Sequence, residues 1–268
     1  IAGVEEILLS FPPSNKEVSD LMLASCHIGG VTEAVSIGGA QAIAAMAFGT
    51  ESIKKVDKIF GPGNKYVAEA KRQVYGTVGI DSITGPSEVM IIADESANPE
   101  FIAADLLAQA EHGIDSSCFL VLIKKGIKEN INEALRRQLS SLARSEIAKK
   151  SLNDFSFAIE VDNLKQAEKV CNVVHPEHLQ ISLDNLDNVT KENFSAGAIF
   201  IGSSNSAVFG DYCAGPNHVL PTSGTAKYAS PLGVYDFLKR SSMMQISKTH
   251  AKELSKIAIS IADSEGLY

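Results

Sequence analysis

The chain has 268 residues, 45% hydrophobic and 21% charged, which is long enough for one large domain or two small ones. Its net charge of −8 argues against general nucleic-acid binding, which needs a basic surface. No apolar run approaches the about 20 residues of a membrane span, and no signal peptide is recognisable. We therefore expect a cytoplasmic protein with no membrane partner.

Short apolar runs alternate with amphipathic helical stretches along the chain, which is typical of α/β units around a mostly parallel sheet. Strands are predicted at residues 7–9, 34–37, 58–60, 89–93, 119–123, 157–161, 179–181 and 198–201. Helices are predicted at residues 16–28, 127–150 and 164–174. Three more are predicted after the glycine turn at 38–41 as far as Phe48, after the turn at 61–64 as far as about Val74, and beginning after Asn98. The pattern is again helical from Pro231 onward. The first three strand–turn–helix units resemble half of a doubly wound domain.

Four cysteines, Cys26, Cys118, Cys171 and Cys213, are widely spaced and form no C-x-x-C pair. This spacing favours free thiols in a reducing compartment. Cys213 lies close to Asp211 in the sequence, so a role as a metal ligand is an alternative to simple packing.

Gln109 and His112 are three residues apart in a predicted helix, so both side chains project from one face and could share a metal ion. Gly113 follows, which also makes His112 a candidate for a helix C-terminus. Asp211 lies in a glycine-bounded segment, residues 210–218, without helical or strand period. A carboxylate there could complete a nitrogen and oxygen ligand set, or form an Asx-turn.

Pro176-Glu177-His178 stands between a predicted helix and an apolar strand. An adjacent carboxylate and imidazole can divide acid–base work, one activating water while the other takes a proton from an alcohol. A polar turn explains the same residues equally well.

Two glycine turns follow predicted strands and open helices, one containing Gln41 (residues 38–41) and one containing Asn64 (residues 61–64). Backbone N–H groups at such turns can bind an anion, although tight turns alone would explain the glycines. The carboxyl ends of strands are where an open α/β sheet binds ligands.

Together these residues resemble the histidinol dehydrogenase family across essentially the whole chain. The resemblance rests on long motifs in order: GGAQAIAAMAFGT (38–50), KVDKIFGPGNKYVAEAKRQV (55–74), GPSEVMIIAD (85–94), LLAQAEHG (106–113), HPEHLQI (175–181) and NHVLPTSGTAKYASPLG (217–233).

The resemblance implies a function: zinc- and NAD-dependent four-electron oxidation of L-histidinol to L-histidine through L-histidinal. It implies a fold of two incomplete Rossmann-like doubly wound domains and a helical C-terminal arm. The implied boundaries are an NAD-binding domain at 1–86, a zinc and substrate domain at 87–232, and a dimerisation arm at 233–268.

The resemblance also implies roles for single residues. One Zn²⁺ per subunit would be held by Gln109, His112 and Asp211, with Glu177 and His178 as the catalytic acid–base pair. Gln41 and Asn64 would contact NAD. The implied substrate contacts are Ser87, Gln109, His112, His178, Asp211 and Glu265.

The family's fourth zinc ligand is a histidine a few residues past the position of Glu265, supplied by the partner subunit of a homodimer, and this chain stops at Tyr268. A further NAD contact of the family precedes Ile1. We therefore expect this sequence to be the central part of the enzyme.

Three alternatives stay open on the sequence alone. A paralogous zinc- and NAD-dependent dehydrogenase could oxidise another small alcohol, and an inactive fragment or zinc-binding scaffold would turn nothing over. A zinc hydrolase would use Glu177 to activate water. However, the sequence contains no H-E-x-x-H motif, and this function would leave the two glycine turns unexplained.

Overall fold

The α/β class is confirmed by parallel sheets in the computed structural model, which describes residues 1–124, 126–189 and 193–267. The strands are β1 (Leu8–Ser10), β2 (Glu33–Val35), β3 (Lys58–Ile59), β4 (Gly79–Ile80), β5 (Glu88–Ala93), β6 (Ser117–Ile123), β7 (Phe157–Val161), β8 (His178–Ser182) and β9 (Ala198–Ile201). The helices are α1 (Lys16–Gly29), α2 (Gly39–Phe48), α3 (Lys65–Val74), α4 (Pro99–Ala110), α5 (Lys128–Ser141), α6 (Ser145–Asp154), α7 (Leu164–Val174), α8 (Ala207–Tyr212) and α9 (Lys248–Ser264).

The largest sheet has five parallel strands in the order β7-β6-β5-β8-β9. From β5 the chain adds β6 and β7 on one side of the sheet and then β8 and β9 on the other side of β5. This change of side is typical of a doubly wound fold. Helices cover both faces: α4, α5 and α6 pack on the side of Val89 and Ile91, whereas α7 packs on the side of Met90 and Ile92. The alternation along β5 follows from the two-residue period of a strand.

Asparagine side chains begin four of the described helices, because the carboxamide oxygen accepts a backbone N–H that has no partner inside the helix. The capping residues are Asn15, Asn64, Asn98 and Asn163. The helix predicted after Asn98 is confirmed: the Oδ1 of Asn98 lies 2.9 Å from the backbone nitrogen of Glu100, and Pro99 occupies the first helical position.

Residues before Gly85 form two separate two-stranded parallel sheets, β1-β2 and β3-β4. Helices α2 and α3 pack together over a core that includes Ile43, Ile59 and Val74. The chain divides into two compact units, Gly3–Gly233 and Val234–Tyr268. The domain limits 1–86, 87–232 and 233–268 stay predictions, and Tyr268 lies outside the described residues.

The prediction of one helix at 127–150 is wrong, because the chain forms α5 and α6 with a break at Leu142. Leu142 has extended backbone angles (φ −76°, ψ 128°) and packs on the same core as Leu139. An unbroken helix of that length would run about 36 Å, beyond the edge of the sheet. The break instead returns α6 so that Ala148 is buried in the core.

The prediction of helix from Pro231 onward is only partly correct. A short 3₁₀ helix covers Val234–Phe237, and α9 begins only after Ser247, whose Oγ accepts the backbone N–H of His250 at 3.2 Å. Helix α9 exposes its apolar stripe, which includes Ile257 and Ile261. With 17 residues it is the longest described helix, and no helix in the described part of the chain is long and apolar enough to cross a membrane.

A buried ion pair stabilises the segment around the second glycine turn. The ammonium group of Lys71, only 1% exposed, contacts the carboxylate of Asp81 and donates to the backbone oxygen of Gly61 at 3.0 Å. Asp81 also accepts the backbone N–H of Gly61 at 2.7 Å. Both peptide groups flanking Gly61 are therefore fixed by charged partners.

We predict that Lys71→Met lowers the free energy of unfolding by about 3–5 kcal/mol, because it leaves the Asp81 carboxylate buried without its cation. Denaturant unfolding of the purified chain measures this loss. Lys149→Met is the matched control, since Lys149 pairs with Glu146 on the surface and should cost much less. Equal losses for both variants would contradict the importance of the buried pair.

Candidate active site

The predicted acid–base residues lie at the amino edge of the five-stranded sheet. Ser87 directly precedes β5, and Glu177 directly precedes β8. Val89 pairs with His178 in the parallel register, so the two segments enter the sheet side by side. Residues about 90 positions apart in the chain thereby become neighbours.

Glu177 is held in one orientation by hydrogen bonds from the neighbouring strand. Its Oε2 accepts the hydroxyl of Ser87 and the backbone N–H of Glu88, the latter at 3.0 Å. The residue is only 7% exposed. A buried carboxylate oriented by two donors is suited to act on a substrate or a water molecule that enters the site.

The imidazole of His178, 3% exposed, is held at both nitrogens. Nδ1 lies 3.2 Å from the backbone oxygen of Glu88, and Nε2 lies 3.2 Å from Oδ1 of Asp211. Burial alone would lower the pKa of His178, but the hydrogen bond to Asp211 and the charges of Glu177 and Asp211 raise it above its usual value. Both contacts are to acceptor oxygens, so they fit the protonated ring, in which Nδ1 donates to Glu88 and Nε2 donates to Asp211.

The prediction that Asp211 lies in a loop is wrong, because it belongs to α8. Ser206 caps this helix, and its Oγ accepts the backbone N–H of Val208 at 3.4 Å. Burial would raise the pKa of Asp211, yet it is lowered by the hydrogen bond from His178 and by the charges of His178, His218 and His112. Of these histidines, His178 is the one with a hydrogen bond to this carboxylate, and the sequence assigned no role to His218.

Gln109 and His112 lie at the end of α4, a helix that packs against α8, which carries Asp211. Gln109 is in the last turn, whereas His112 follows the helix by two residues, so the prediction that both are on the helix is only partly correct. His112 Nδ1 is 3.3 Å from the backbone oxygen of Ala108, and the amide Nε2 of Gln109 is buried without a hydrogen-bond partner within the described residues.

The imidazole of His112 and the carboxylate of Asp211 are groups that zinc binds, and a backbone carbonyl orients the imidazole. The Gln109 amide is a rarer kind of zinc ligand, and it is buried with its nitrogen unpartnered within the described residues. In the described part of the chain, no group of three His, Cys, Asp or Glu side chains could hold a metal ion. The set therefore depends on the amide of Gln109.

All four cysteines are free thiols, as predicted. Burial raises the pKa of Cys118 and of Cys171 to about 12, which makes both thiols poor nucleophiles. Cys213 is exposed at the end of α8 and, like the other cysteines, belongs to no metal-binding group found in the described residues.

Gln41 lies near the start of α2 and is exposed. Gly39 has a φ of +77°, and a Cβ there would lie 2.9 Å from the Oε1 of Gln41. The side chain of Gln41 therefore folds over the backbone at the amino end of the helix, where N–H groups are free to bind an anion.

Asn64 begins α3 with its Oδ1 accepting the N–H groups of Tyr66 and Val67 at 3.0 and 3.2 Å. The carbonyl oxygen of this amide is therefore occupied, which leaves its NH₂ group as the donor available to a ligand. Gly61, three residues earlier, has a φ of +112° that favours glycine.

The carboxyl edge of the five-stranded sheet holds a separate cleft of about 620 Å³. Asp94, Lys124 and Asp184 are among its lining residues, and none of the predicted site residues lines it. Glu265, predicted to contact the substrate, follows α9 in the second unit and keeps that role as a prediction.

Sequence reasoning missed the half-buried carboxyl group of Glu88. Its side chain accepts the backbone N–H groups of Glu177 and Ser223, while its Oε2 has no hydrogen-bond partner within the described residues. Burial and the charge of Glu177 raise its pKa to about 7. The sequence contained a sign of this group, because Glu88 is a charged residue at the start of the otherwise apolar strand EVMIIA. Charged residues are rarely placed next to a core without a specific role.

We predict that Glu88→Gln changes how stability depends on pH. The pKa of Glu88 is about 7 in the folded chain and ordinarily 4.5, so the native state binds the extra proton and the wild type loses stability as pH rises from about 4.5 to 7. The variant should gain about 1–2 kcal/mol over the wild type between pH 5 and 8, discounted for partial exposure.

Denaturant unfolding at pH 5 and pH 8 measures this difference, with the exposed Glu51→Gln as the control that should show none. A constant difference between Glu88→Gln and wild type across that range would show that Glu88 stays ionised.

Comparison with known proteins identifies the family. A sequence model of the family described as Histidinol dehydrogenase matches residues 1–268. Histidinol dehydrogenase of Hydrogenovibrio crunogenus is 47% identical over 267 residues, which are 100% of this chain and 62% of that protein. The crystal structure of histidinol dehydrogenase from Elizabethkingia anophelis matches with a TM-score of 0.91 and 38% identity, covering 99% of this chain and 61% of that one.

An acetylating aldehyde dehydrogenase from Geobacillus thermoglucosidasius is 13% identical with a TM-score of 0.57, over 91% of this chain and 70% of that one, and shares the fold alone. The chain spans 62% and 61% of the length of the two histidinol dehydrogenases named above. On its sequence and on its fold, the chain belongs to the histidinol dehydrogenase family.

Proposed function

We propose that the full-length protein is a zinc- and NAD-dependent histidinol dehydrogenase of histidine biosynthesis. It would oxidise L-histidinol to L-histidine through L-histidinal and reduce two NAD⁺. The observation that carries the proposal is the hydrogen-bonded group Ser87, Glu177, His178 and Asp211, which three distant segments bring to one edge of the sheet. Family membership supports the same assignment.

We extend the proposal to a cytoplasmic homodimer whose partner subunit completes the zinc site. Gln109, His112 and Asp211 would hold the zinc ion, and Gln41 and Asn64 would contact NAD. When bound, zinc would orient the imidazole and amine of the substrate, and NAD⁺ would accept each hydride. The remaining chemistry is proton transfer, which belongs to side chains of this chain.

His178 would be the base for the alcohol. Because the carbonyl of Glu88 holds the Nδ1 proton, Nε2 is the nitrogen that can exchange a proton, and it faces the side of Asp211 and the proposed ligands. In the first oxidation the substrate hydroxyl would give its proton to Nε2 as the hydride leaves carbon. This yields the aldehyde and a protonated imidazole.

Glu177 would be the base for water. Its carboxylate, oriented by Ser87 and by the backbone of Glu88, would take a proton from a water molecule that attacks the aldehyde carbon. The protonated His178 would return its proton to the former aldehyde oxygen, which gives a neutral hydrate and a free imidazole. The hydrate would then lose a second hydride as His178 accepts a hydroxyl proton, which leaves the carboxylic acid. Ser87 and Glu265, together with the zinc ligands and His178, would form the substrate contacts.

Production of NADH at 340 nm from L-histidinol, NAD⁺ and zinc tests the function, using this chain and the full-length protein. We expect turnover in the full-length protein, with two NADH formed per histidinol. A folded, zinc-loaded full-length protein that is inactive with histidinol but oxidises another amino alcohol or a polyol would overturn the substrate assignment.

We predict that His178→Asn lowers the turnover of the full-length enzyme by about 10²–10⁴-fold, because the alcohol loses its base. Steady-state assays of kcat at saturating histidinol and NAD⁺ measure the effect. His27→Asn is the matched control, since His27 is exposed near the end of α1 and should leave kcat unchanged. A near-normal kcat for His178→Asn would refute the proposed base.

A further inference from the structure

The carboxylate of Asp105 joins three elements that carry site residues. Asp105 lies on α4, one turn before Gln109. Its Oδ2 accepts the amide Nε2–H of Gln180 at 2.7 Å, and its Oδ1 accepts the hydroxyl of Ser206 at 2.6 Å. Both oxygens of this carboxylate are therefore used, and both donors come from other elements.

Each partner of Asp105 is close in the chain to a residue of the proposed site. Gln180 is on β8, two residues after His178, so both side chains lie on the same face of the strand. Ser206 caps α8, the helix that carries Asp211. Helix α8 packs against both α4 and β8.

The chemistry proposed above uses none of these three polar side chains, yet one of them, Gln180, occupies a costly position. Gln180 is 2% exposed in a strand that is buried along its whole length, and its Oε1 has no hydrogen-bond partner among the described residues. A buried amide with one unsatisfied atom is unfavourable unless its other contact is needed. That other contact is the one to Asp105.

We propose that Asp105 is a positioning residue that sets the distance between the zinc ligands at the end of α4 and the zinc ligand on α8. This inference rests on the proposed function, because Gln109, His112 and Asp211 are taken as the ligand set. A charged acceptor with two neutral donors gives a strong and directional contact. Residues that orient metal ligands in this way change metal affinity by about 10- to 100-fold when they are removed.

The test is the zinc dissociation constant of the full-length protein, measured by competition with a chelating fluorophore. We expect Asp105→Leu to weaken zinc binding by about 10- to 100-fold, because α4 and α8 lose their shared anchor. Asp20→Leu makes the same substitution at an exposed position of α1 and should leave the constant unchanged.

Two further variants separate positioning from general loss of stability. Ile131→Ala creates a cavity in the buried core beneath α5, so it destabilises the fold but should keep zinc affinity within about threefold of wild type. Ser206→Ala removes the link between Asp105 and α8 together with the side-chain cap of that helix. We expect it to fold and to weaken zinc binding by roughly 3- to 10-fold, less than the full loss of such a contact.

Asp105→Asn is the conservative variant that should rescue affinity. Its Oδ1 can still accept from Ser206, and its NH₂ group can donate to the Oε1 of Gln180, which has no partner within the described residues. We expect zinc binding within about threefold of wild type, well short of the loss given by removing an orienting contact. Rescue of zinc affinity by Asp105→Asn would show that hydrogen bonding at position 105, rather than its negative charge, keeps the ligands in place.

His112→Ala distinguishes failure of this inference from failure of the proposed function. If His112→Ala abolishes zinc binding while Asp105→Leu and Ser206→Ala bind as wild type does, the ligand set stands and the role of Asp105 is overturned. If His112→Ala still binds zinc normally, the ligand set itself is wrong. Equal weakening by Asp105→Leu and Ile131→Ala would also overturn the positioning role.

Discussion

The parallel register between β5 and β8 is the constraint on which the whole site depends. It pairs Val89 with His178 and so places Ser87 and Glu88 beside Glu177. A shift by one residue would turn every side chain of β8 to the opposite face. Leu179 and Ile181 would then leave the core beneath α7, and the buried imidazole would replace them there. The apolar core therefore fixes the geometry of the acid–base pair.

The same sheet explains why the proposed zinc ligands gather at its amino edge. Helix α4 starts near the carboxyl end of β5 and returns to the start of β6, so its last turn delivers Gln109 to the edge where His178 begins β8. Open α/β sheets bind ligands at the opposite, carboxyl edge. Here that edge carries the cleft beside Asp94 and Asp184, whereas the acid–base residues occupy the other.

Much of this architecture follows from sequence pattern, because apolar strands and capped helices are local features. The strand around Met90 and the cap at Asn98 were predictable for that reason. Other features depend on tertiary packing. The break at Leu142 depends on where the core lies. Helix α8 has only 6 residues, which is too short to show a helical period of apolar residues in the sequence. The contacts of Asp105 could not be predicted, since Gln180 and Ser206 reach it only in the folded chain.

Anomalous diffraction at the zinc absorption edge, from crystals of the full-length protein grown with zinc, tests whether Gln109, His112 and Asp211 hold the metal. We expect one strong peak per subunit at the amino edge of the five-stranded sheet. That peak should lie about 2.0–2.2 Å from the donor atoms of Gln109, His112 and Asp211. A peak at the carboxyl-edge cleft or at Cys213, with none between these three residues, would contradict it.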